Sequence, residues 1–170
     1  FTDKKEAEEK LREEMEKHSN LPELHIGAEV YFFNGISDSE AISGLTINQN
    51  GCILIEMPPA QWTDKMYREL EDLHTKQGLL PVVAHVDRYL GRFRTYGIPE
   101  RLAQLPVLVQ ANAEFFLDKK TAAMALRLLK RNQIHLLGSD CHNMTSRSPN
   151  LMEEVALIDK RLGKDPIHEI

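Results

Sequence analysis

Four segments of this chain place apolar residues at helical spacing. In one of them Trp62, Met66 and Leu70 recur at intervals of four, and such a stripe predicts a helix with one buried side. The predicted helices cover residues 3–18, 61–76, 119–131 and 151–162, and segment 88–104 is predicted to be helical in part.

Short apolar runs lie between these helices. Pro81, Val82, Val83 and Ala84 form one such run, which is too short for a helix and is typical of a buried strand. The predicted strands cover residues 24–33, 45–47, 52–55, 81–84, 107–109 and 134–137. Because nearly continuous apolar strands alternate with helices, the pattern predicts parallel α/β architecture, as a layer or a barrel, in one domain over residues 1–170.

Composition and charge narrow the classes of function. The 170 residues carry a formal net charge of −5, and 42% of them are hydrophobic, which is typical of a globular domain. A net negative chain lacks the basic surface expected of a nucleic-acid-binding domain. The apolar runs fall far short of the roughly 20 residues of a membrane span, and no signal peptide is visible. With only two cysteines, we expect a cytoplasmic protein that is not an integral membrane protein.

Acidic and imidazole side chains follow the ends of four predicted strands. They are Glu29, which we expect to close the first strand, Glu56, His85 and Asp140, with His142 two residues further on. Ligands of parallel α/β folds bind at the carboxyl ends of the strands. Each residue taken singly has an ordinary structural explanation, but gathered together they would repel one another unless cations lay between them. Mixed oxygen and nitrogen ligands suit Mn²⁺, Zn²⁺ or iron, so the sequence predicts a metal cluster.

Two arginines lie in the loops that leave these strands. Arg88 is three residues beyond His85, and Arg147 is seven residues beyond Asp140. The planar guanidinium group matches the oxygens of phosphate, so both residues are candidates for binding a phosphate group of the substrate. The alternative, a solvated surface charge, stays open for each.

The same loop also contains a residue spacing that is typical of a different phosphatase mechanism. Cys141 and Arg147 have the Cys-x5-Arg spacing of thiol-dependent phosphatases, in which a thiolate attacks phosphorus. The intervening residues contain no glycine, although tight phosphate-binding loops commonly use it. A metal site also accounts for Asp140 and His142, which a thiol mechanism does not. We therefore predict that Cys141 takes no part in catalysis.

Four blocks of sequence resemble the motifs of a known family. They are Gly27-Ala28-Glu29-Val30-Tyr31, Ile55-Glu56, His85-Val86-Asp87-Arg88-Tyr89 and Gly138-Ser139-Asp140-Cys141-His142-Asn143. In order and spacing they resemble the PHP-superfamily tyrosine phosphatases encoded with bacterial capsule and exopolysaccharide genes. The resemblance implies a distorted (β/α)₇ barrel with a trinuclear metal site, often of Mn²⁺. It also implies hydrolysis of phosphotyrosine on a partner bacterial tyrosine kinase that controls polysaccharide export.

The resemblance also implies a role for each candidate site residue. The implied metal ligands are Glu29 as the bridge between two metals, Glu56 and His85 on one of these, Asp140 on the other and His142 on the third. The implied phosphate ligands are Arg88 and Arg147.

The chain departs from the family pattern at its amino terminus. The family begins with a strand carrying a His-x-His pair, then a loop acid and a strand ending in histidine, and none of these precedes Phe1. We therefore expect a barrel that lacks its first strands. Two other functions stay open, namely a phosphatase of small esters such as histidinol phosphate and a non-catalytic module that docks on a kinase. The sequence leaves open the metal, the oligomeric state and the activity of this chain by itself.

Overall fold

One sheet of five parallel strands forms the centre of the molecule. The computed structural model describes residues 2–90 and 97–163. The strands are β1 (Glu29–Tyr31), β2 (Cys52–Glu56), β3 (Leu80–Val83), β4 (Leu108–Asn112) and β5 (Leu136–Gly138). Their order in the sheet is their order along the chain. The parallel α/β class predicted from the sequence is therefore confirmed.

Helices and short 3-10 turns connect the strands. The α-helices are α1 (Thr2–Met15), α2 (Asp64–Gln77), α3 (Ile98–Leu102), α4 (Ala113–Leu117), α5 (Ala122–Lys130) and α6 (Leu151–Leu162). The 3-10 turns are Ile36–Asp38, Glu40–Leu45, Ile47–Gln49 and Val86–Arg88. None of the helices in the described ranges is long and apolar enough to span a membrane.

The two faces of the sheet differ in burial. In β2 the side chains of Ile53 and Ile55 are fully buried in the same core cluster as Leu70 of α2, whereas Leu54 and Glu56 are only partly buried. Successive side chains of a strand point to opposite faces, so helices cover one face of the sheet and leave the other more open. The polar residues of the strands lie on this more open face.

Two predicted strands differ from the structure. Only Glu29–Tyr31 of the predicted strand 24–33 is extended in the sheet, and the strand predicted over 45–47 falls instead at the junction of two 3-10 turns. Asn48 explains both differences, because it bonds to the backbone of Ile26: its N–H donates to the Ile26 carbonyl (2.8 Å), and its side-chain oxygen accepts from the Ile26 N–H (2.9 Å). These bonds occupy backbone groups that a ladder of strands would need.

The helices follow the predictions more closely. The predicted helix 151–162 has the same bounds as α6, and α2 begins three residues later than predicted. The partly helical segment 88–104 contains α3, but its residues 91–96 lie outside the described part of the chain. The short helix α4 was not predicted, because its buried Phe115 and Phe116 form too short a run to show a helical period.

Candidate metal centre

Three of the predicted ligands lie together on the more open face of the sheet. One ligand atom from each of Glu29, Glu56 and His85 lies within 4.8 Å of the others. The Nε2 atom of His85 is 3.4 Å from Oε1 of Glu29 and 3.7 Å from Oε1 of Glu56. Two carboxylates and one imidazole are a donor set that divalent transition metals bind, so these residues fit a metal ion.

The register of the sheet brings these residues together. Tyr31 pairs with Glu56, so Glu29, two residues earlier on the same strand, points to the same face as Glu56. Glu29 is the first residue of β1, so the prediction that it closes the first strand is wrong. The strand begins later than its apolar pattern suggested, because the backbone of Ile26 bonds to Asn48 instead of to the sheet.

His85 is held rigidly at the end of β3. Its side chain is 2% exposed, and its backbone lies in the left-handed region with φ of 36°. Its backbone N–H donates to Oε1 of Gln110, whose amide nitrogen in turn donates to the carbonyl of Ala111 (2.8 Å) and to Oδ1 of Asn112 (3.1 Å). A strained backbone conformation persists only where its surroundings determine it, and here Gln110 does so.

Arg88 lies between two groups of predicted ligands, with Glu56 and His85 on one side and Asp140 on the other. Its Nη1 is 3.3 Å from Oε1 of Glu56 and 3.2 Å from Nε2 of His85, and its Nη2 donates to Oδ2 of Asp140. The guanidinium group therefore contributes positive charge to this acidic cluster.

Asp140 and His142 lie on the far side of Arg88. Oδ2 of Asp140 also accepts from Arg147, and its Oδ1 is 3.2 Å from Nε2 of the largely exposed His142. Burial raises the pKa of Asp140, but the Arg88 charge, the hydrogen bond with His142 and the Arg147 charge together hold it below its usual value. Asp140 is thus a carboxylate at neutral pH, and it is one that two arginines already bind.

A cleft opens beside the two arginines. It has a volume of about 370 Å³, and its lining includes Asp87, Arg88, Asn112, Asp140 and Arg147. Guanidinium groups bind carboxylate and phosphate oxygens with the same fork geometry. The cleft can therefore hold an anionic group close to the carboxylates and the imidazole.

The loop with the Cys-x5-Arg spacing has a different organisation from a phosphate cradle. The backbone N–H groups of Thr145, Ser146 and Arg147 all donate to Oδ1 of Asn143 at 2.8 to 3.1 Å. These donors are therefore turned towards a side chain of the same loop, and Cys141 is exposed beside them. A thiol-dependent site would direct such donors at the phosphate.

Two residues that shape this site were not among the candidate site residues of the sequence analysis. Gln110 holds the backbone of His85, and the hydroxyl of Tyr89 lies 3.3 Å from Nδ1 of the same histidine. A polar residue between the apolar Val109 and Ala111 of β4 was the available signal for Gln110. Tyr89 lies in the His-Val-Asp-Arg-Tyr block, but nothing local distinguishes it from an ordinary core tyrosine.

Fold and site together define the class of this molecule: a parallel α/β protein with a carboxylate and imidazole cluster, suited to a metal ion, on its sheet. The chain belongs to the family described as "Capsular polysaccharide synthesis, CpsB/CapC", whose family model matches residues 2–170. The family that the sequence motifs indicated is thereby confirmed.

Individual relatives agree with this family. The chain is 24% identical to "Tyrosine-protein phosphatase CpsB" of Streptococcus agalactiae serotype V, over 94% of this chain and 69% of that protein. It is 26% identical to "Tyrosine-protein phosphatase YwqE" of Bacillus subtilis, over 95% of this chain and 65% of that protein. The chain thus spans about two thirds of the length of these relatives.

A solved structure shares the fold. It comes from crystal structures of YwqE from Bacillus subtilis and CpsB from Streptococcus pneumoniae, described as unique metal-dependent tyrosine phosphatases. The match has a TM-score of 0.78 at 22% identity and covers 96% of this chain and 67% of the other.

Proposed function

We propose that this protein is a metal-dependent phosphatase that hydrolyses phosphotyrosine in a protein substrate. The observation that carries the proposal is the convergence of Glu29, Glu56 and His85 within 4.8 Å, beside a cleft that Arg88 and Arg147 line. Relatives named tyrosine-protein phosphatases, at 24% and 26% identity, support the choice of substrate.

Glu29, Glu56 and His85 hold a divalent cation in this proposal, and Asp140 and His142 complete the ligand set on the other side of Arg88. Mn²⁺ is the first candidate, with Zn²⁺ and iron as alternatives, because the ligands are oxygen and nitrogen atoms. Such a cation lowers the pKa of water and offsets the charge that develops on phosphoryl oxygens.

The arginines orient the substrate. Arg88 and Arg147 both donate to Oδ2 of Asp140, and in the proposed complex they donate to the phosphate oxygens of the substrate. Their charges then neutralise the phosphoryl group as its bond to the tyrosine oxygen breaks. His85 presents its Nε2 lone pair, and the buried position of this ring keeps that lone pair in place.

The finer features of the family extend the proposal. We propose that residues 1–170 belong to a single phosphatase domain of PHP type, and that the five sequentially ordered strands are part of a distorted (β/α)₇ barrel. The sequential order supports a barrel, because a doubly wound sheet reverses its strand order. A bacterial tyrosine kinase of capsule or exopolysaccharide synthesis is the proposed partner, and the cytoplasm is the proposed location of this protein.

Phosphate release from a phosphotyrosine peptide tests this function. We expect release after addition of Mn²⁺ to chelator-treated protein, and a loss of at least about 100-fold in Arg88→Met, because a charge-neutralising donor to the transition state is removed. Arg101→Met is the matched control, since Arg101 pairs with Asp64 away from the site.

Three outcomes would contradict the proposal. Activity that survives chelation but is lost with iodoacetamide would make Cys141 the nucleophile. Faster release from histidinol phosphate than from the peptide would favour the small-ester phosphatase. A protein that binds a phosphorylated kinase but releases no phosphate with any of the three metals would be a docking module.

A further inference from the structure

Tyr89 lies behind the candidate metal centre with its ring fixed in the core. The residue is 2% exposed. Its ring meets that of Trp62 edge to face, with centroids 5.1 Å apart and an interplanar angle of 62°. Edge-to-face contact is a favoured arrangement of aromatic rings, so this packing determines where the hydroxyl group points.

The hydroxyl oxygen lies between two parts of the site. It accepts a hydrogen bond from the backbone N–H of Met57 at 2.9 Å, and it is 3.3 Å from Nδ1 of His85. Met57 directly follows the candidate ligand Glu56. One oxygen atom thus joins the strand that carries one candidate ligand to the ring of another.

The opposite side of the imidazole faces both a hydrogen-bond donor and an acceptor. Nη1 of Arg88 is 3.2 Å from Nε2 of His85, and a guanidinium group is only a donor. Oε1 of Glu29 also lies 3.4 Å from Nε2, and a carboxylate oxygen is only an acceptor. A cation bound at Nε2 requires the ring proton on Nδ1, and the oxygen of Tyr89, 3.3 Å away, is then the acceptor of that proton. The same tautomer directs the Nε2 lone pair towards the side of the ring on which Glu29 and Glu56 lie.

We propose that Tyr89 is a positioning residue for His85. By accepting the Nδ1 proton, its hydroxyl keeps the Nε2 lone pair available for the divalent cation that Glu29 and Glu56 also bind. Without this acceptor, the two nearby carboxylates would draw the proton to Nε2 and block it as a ligand. This inference rests on the proposed metal function, and it follows the general pattern in which a partner of the second ring nitrogen orients a histidine ligand.

The tautomer of His85 tests the inference directly. The variant is Tyr89→Phe, and the control is Tyr67→Phe, because Tyr67 is also buried and also packs on Trp62, with centroids 5.5 Å apart. Long-range ¹H–¹⁵N spectra of the metal-free, histidine-labelled protein report the proton position, and the His85 signals are identified by their loss in His85→Asn. We expect Nδ1 to carry the proton in the wild type and in Tyr67→Phe, and the proton to shift towards Nε2 in Tyr89→Phe.

The affinity for Mn²⁺ provides the second readout. We expect the dissociation constant, measured by electron paramagnetic resonance of free Mn²⁺, to rise about 10- to 100-fold in Tyr89→Phe and to stay unchanged in Tyr67→Phe. The inference is overturned if either the tautomer or the affinity of Tyr89→Phe matches the wild type. If the wild type binds no Mn²⁺, the proposed metal function fails, and the tautomer alone then decides whether Tyr89 positions His85.

A second variant covers the case in which Tyr89→Phe does not fold. 3-Fluorotyrosine at position 89 keeps the ring and the hydroxyl but makes the oxygen a weaker acceptor. We expect the Nδ1 proton resonance of His85 to move upfield in this protein, as a weaker hydrogen bond requires. An unmoved resonance would overturn the inference.

Discussion

Glu154 lies on α6 with none of its surface exposed, and neither oxygen of its carboxyl group has a hydrogen-bond partner among the described residues. Burial, and to a lesser extent the charge of Asp87, raises its pKa to about 8. A buried carboxylate without a partner is costly, so the neutral acid is the favoured form. This single side chain gives the molecule a dependence of stability on pH.

Glu154→Gln tests that dependence. The folded protein holds the Glu154 proton up to about pH 8, whereas the unfolded chain releases it near the ordinary pKa of 4.5. Between these values the folded state binds more protons, so the free energy of unfolding falls as pH rises, by at most about 1.4 kcal/mol per pH unit. We expect Glu154→Gln to lose this slope and to exceed the wild type by about 1 to 3 kcal/mol at alkaline pH.

Urea unfolding across this pH range measures the effect. Glu153→Gln is the control, because Glu153 is exposed on the same helix and should leave the slope unchanged. Equal slopes in Glu154→Gln and the wild type would show that Glu154 does not hold its proton in the folded state.

At the scale of elements, the contact between β4 and β5 supports the site. Gly138 of β5 pairs with Asn112 of β4, and a Cβ atom on Gly138 would lie 2.6 Å from Nε2 of Gln110. Hydrogen bonds to Ala111 and Asn112 hold that nitrogen, while the oxygen of the same amide accepts from the His85 backbone. The side chain of Gln110 can occupy this position beside β5 only because residue 138 has no side chain.

Gly138→Ala should therefore disturb both the fold and the site. We expect a loss of about 1 to 3 kcal/mol in the free energy of unfolding, because an added carbon is forced into an occupied space. Weaker Mn²⁺ binding should accompany it, since Gln110 holds His85. Denaturant unfolding and metal titration measure the two effects, and Gly44→Ala is the control, because nothing lies within 4 Å of its added Cβ. A Gly138→Ala protein as stable as Gly44→Ala would contradict this account of the packing.

At the scale of the whole molecule, the candidate ligands join separate strands. Glu29 begins β1, Glu56 ends β2, and His85 follows β3. A cation bound to all three would link strands that are far apart in the chain. Because such a ligand binds the folded state and not the separated strands of the unfolded one, it should stabilise the entire sheet.

Thermal unfolding with increasing Mn²⁺ tests this linkage. We expect stabilisation of about 2.7 kcal/mol when free Mn²⁺ is about 100 times its dissociation constant, and a much smaller effect in Glu56→Gln, which loses a ligand charge. Glu40→Gln, at an exposed position in a 3-10 turn, should respond as the wild type does. An equal response in Glu56→Gln would place the metal elsewhere.

Local pattern determined a large part of the fold. The strand around Ile53 and Ile55, the helix α6 and the parallel α/β class all follow from short-range spacing of apolar residues, because burial of one face imposes a period on the sequence. The same spacing also marked Glu56 and His85 as residues at strand ends. Where backbone groups bond instead to a distant side chain, as Ile26 does to Asn48, the local pattern predicted strand that the structure does not contain.

Only the tertiary structure decided how the site is assembled. The contacts of Arg88 with Glu56 and Asp140, and of the Tyr89 hydroxyl with the Met57 backbone, join residues 32 to 52 positions apart. Such contacts depend on the register of neighbouring strands and on which side chain fills the space between them. The local spacing of apolar residues contains no information on strand register or on side-chain packing. The sequence by itself therefore identified the candidate ligand side chains, and the tertiary structure determined which of them lie close together.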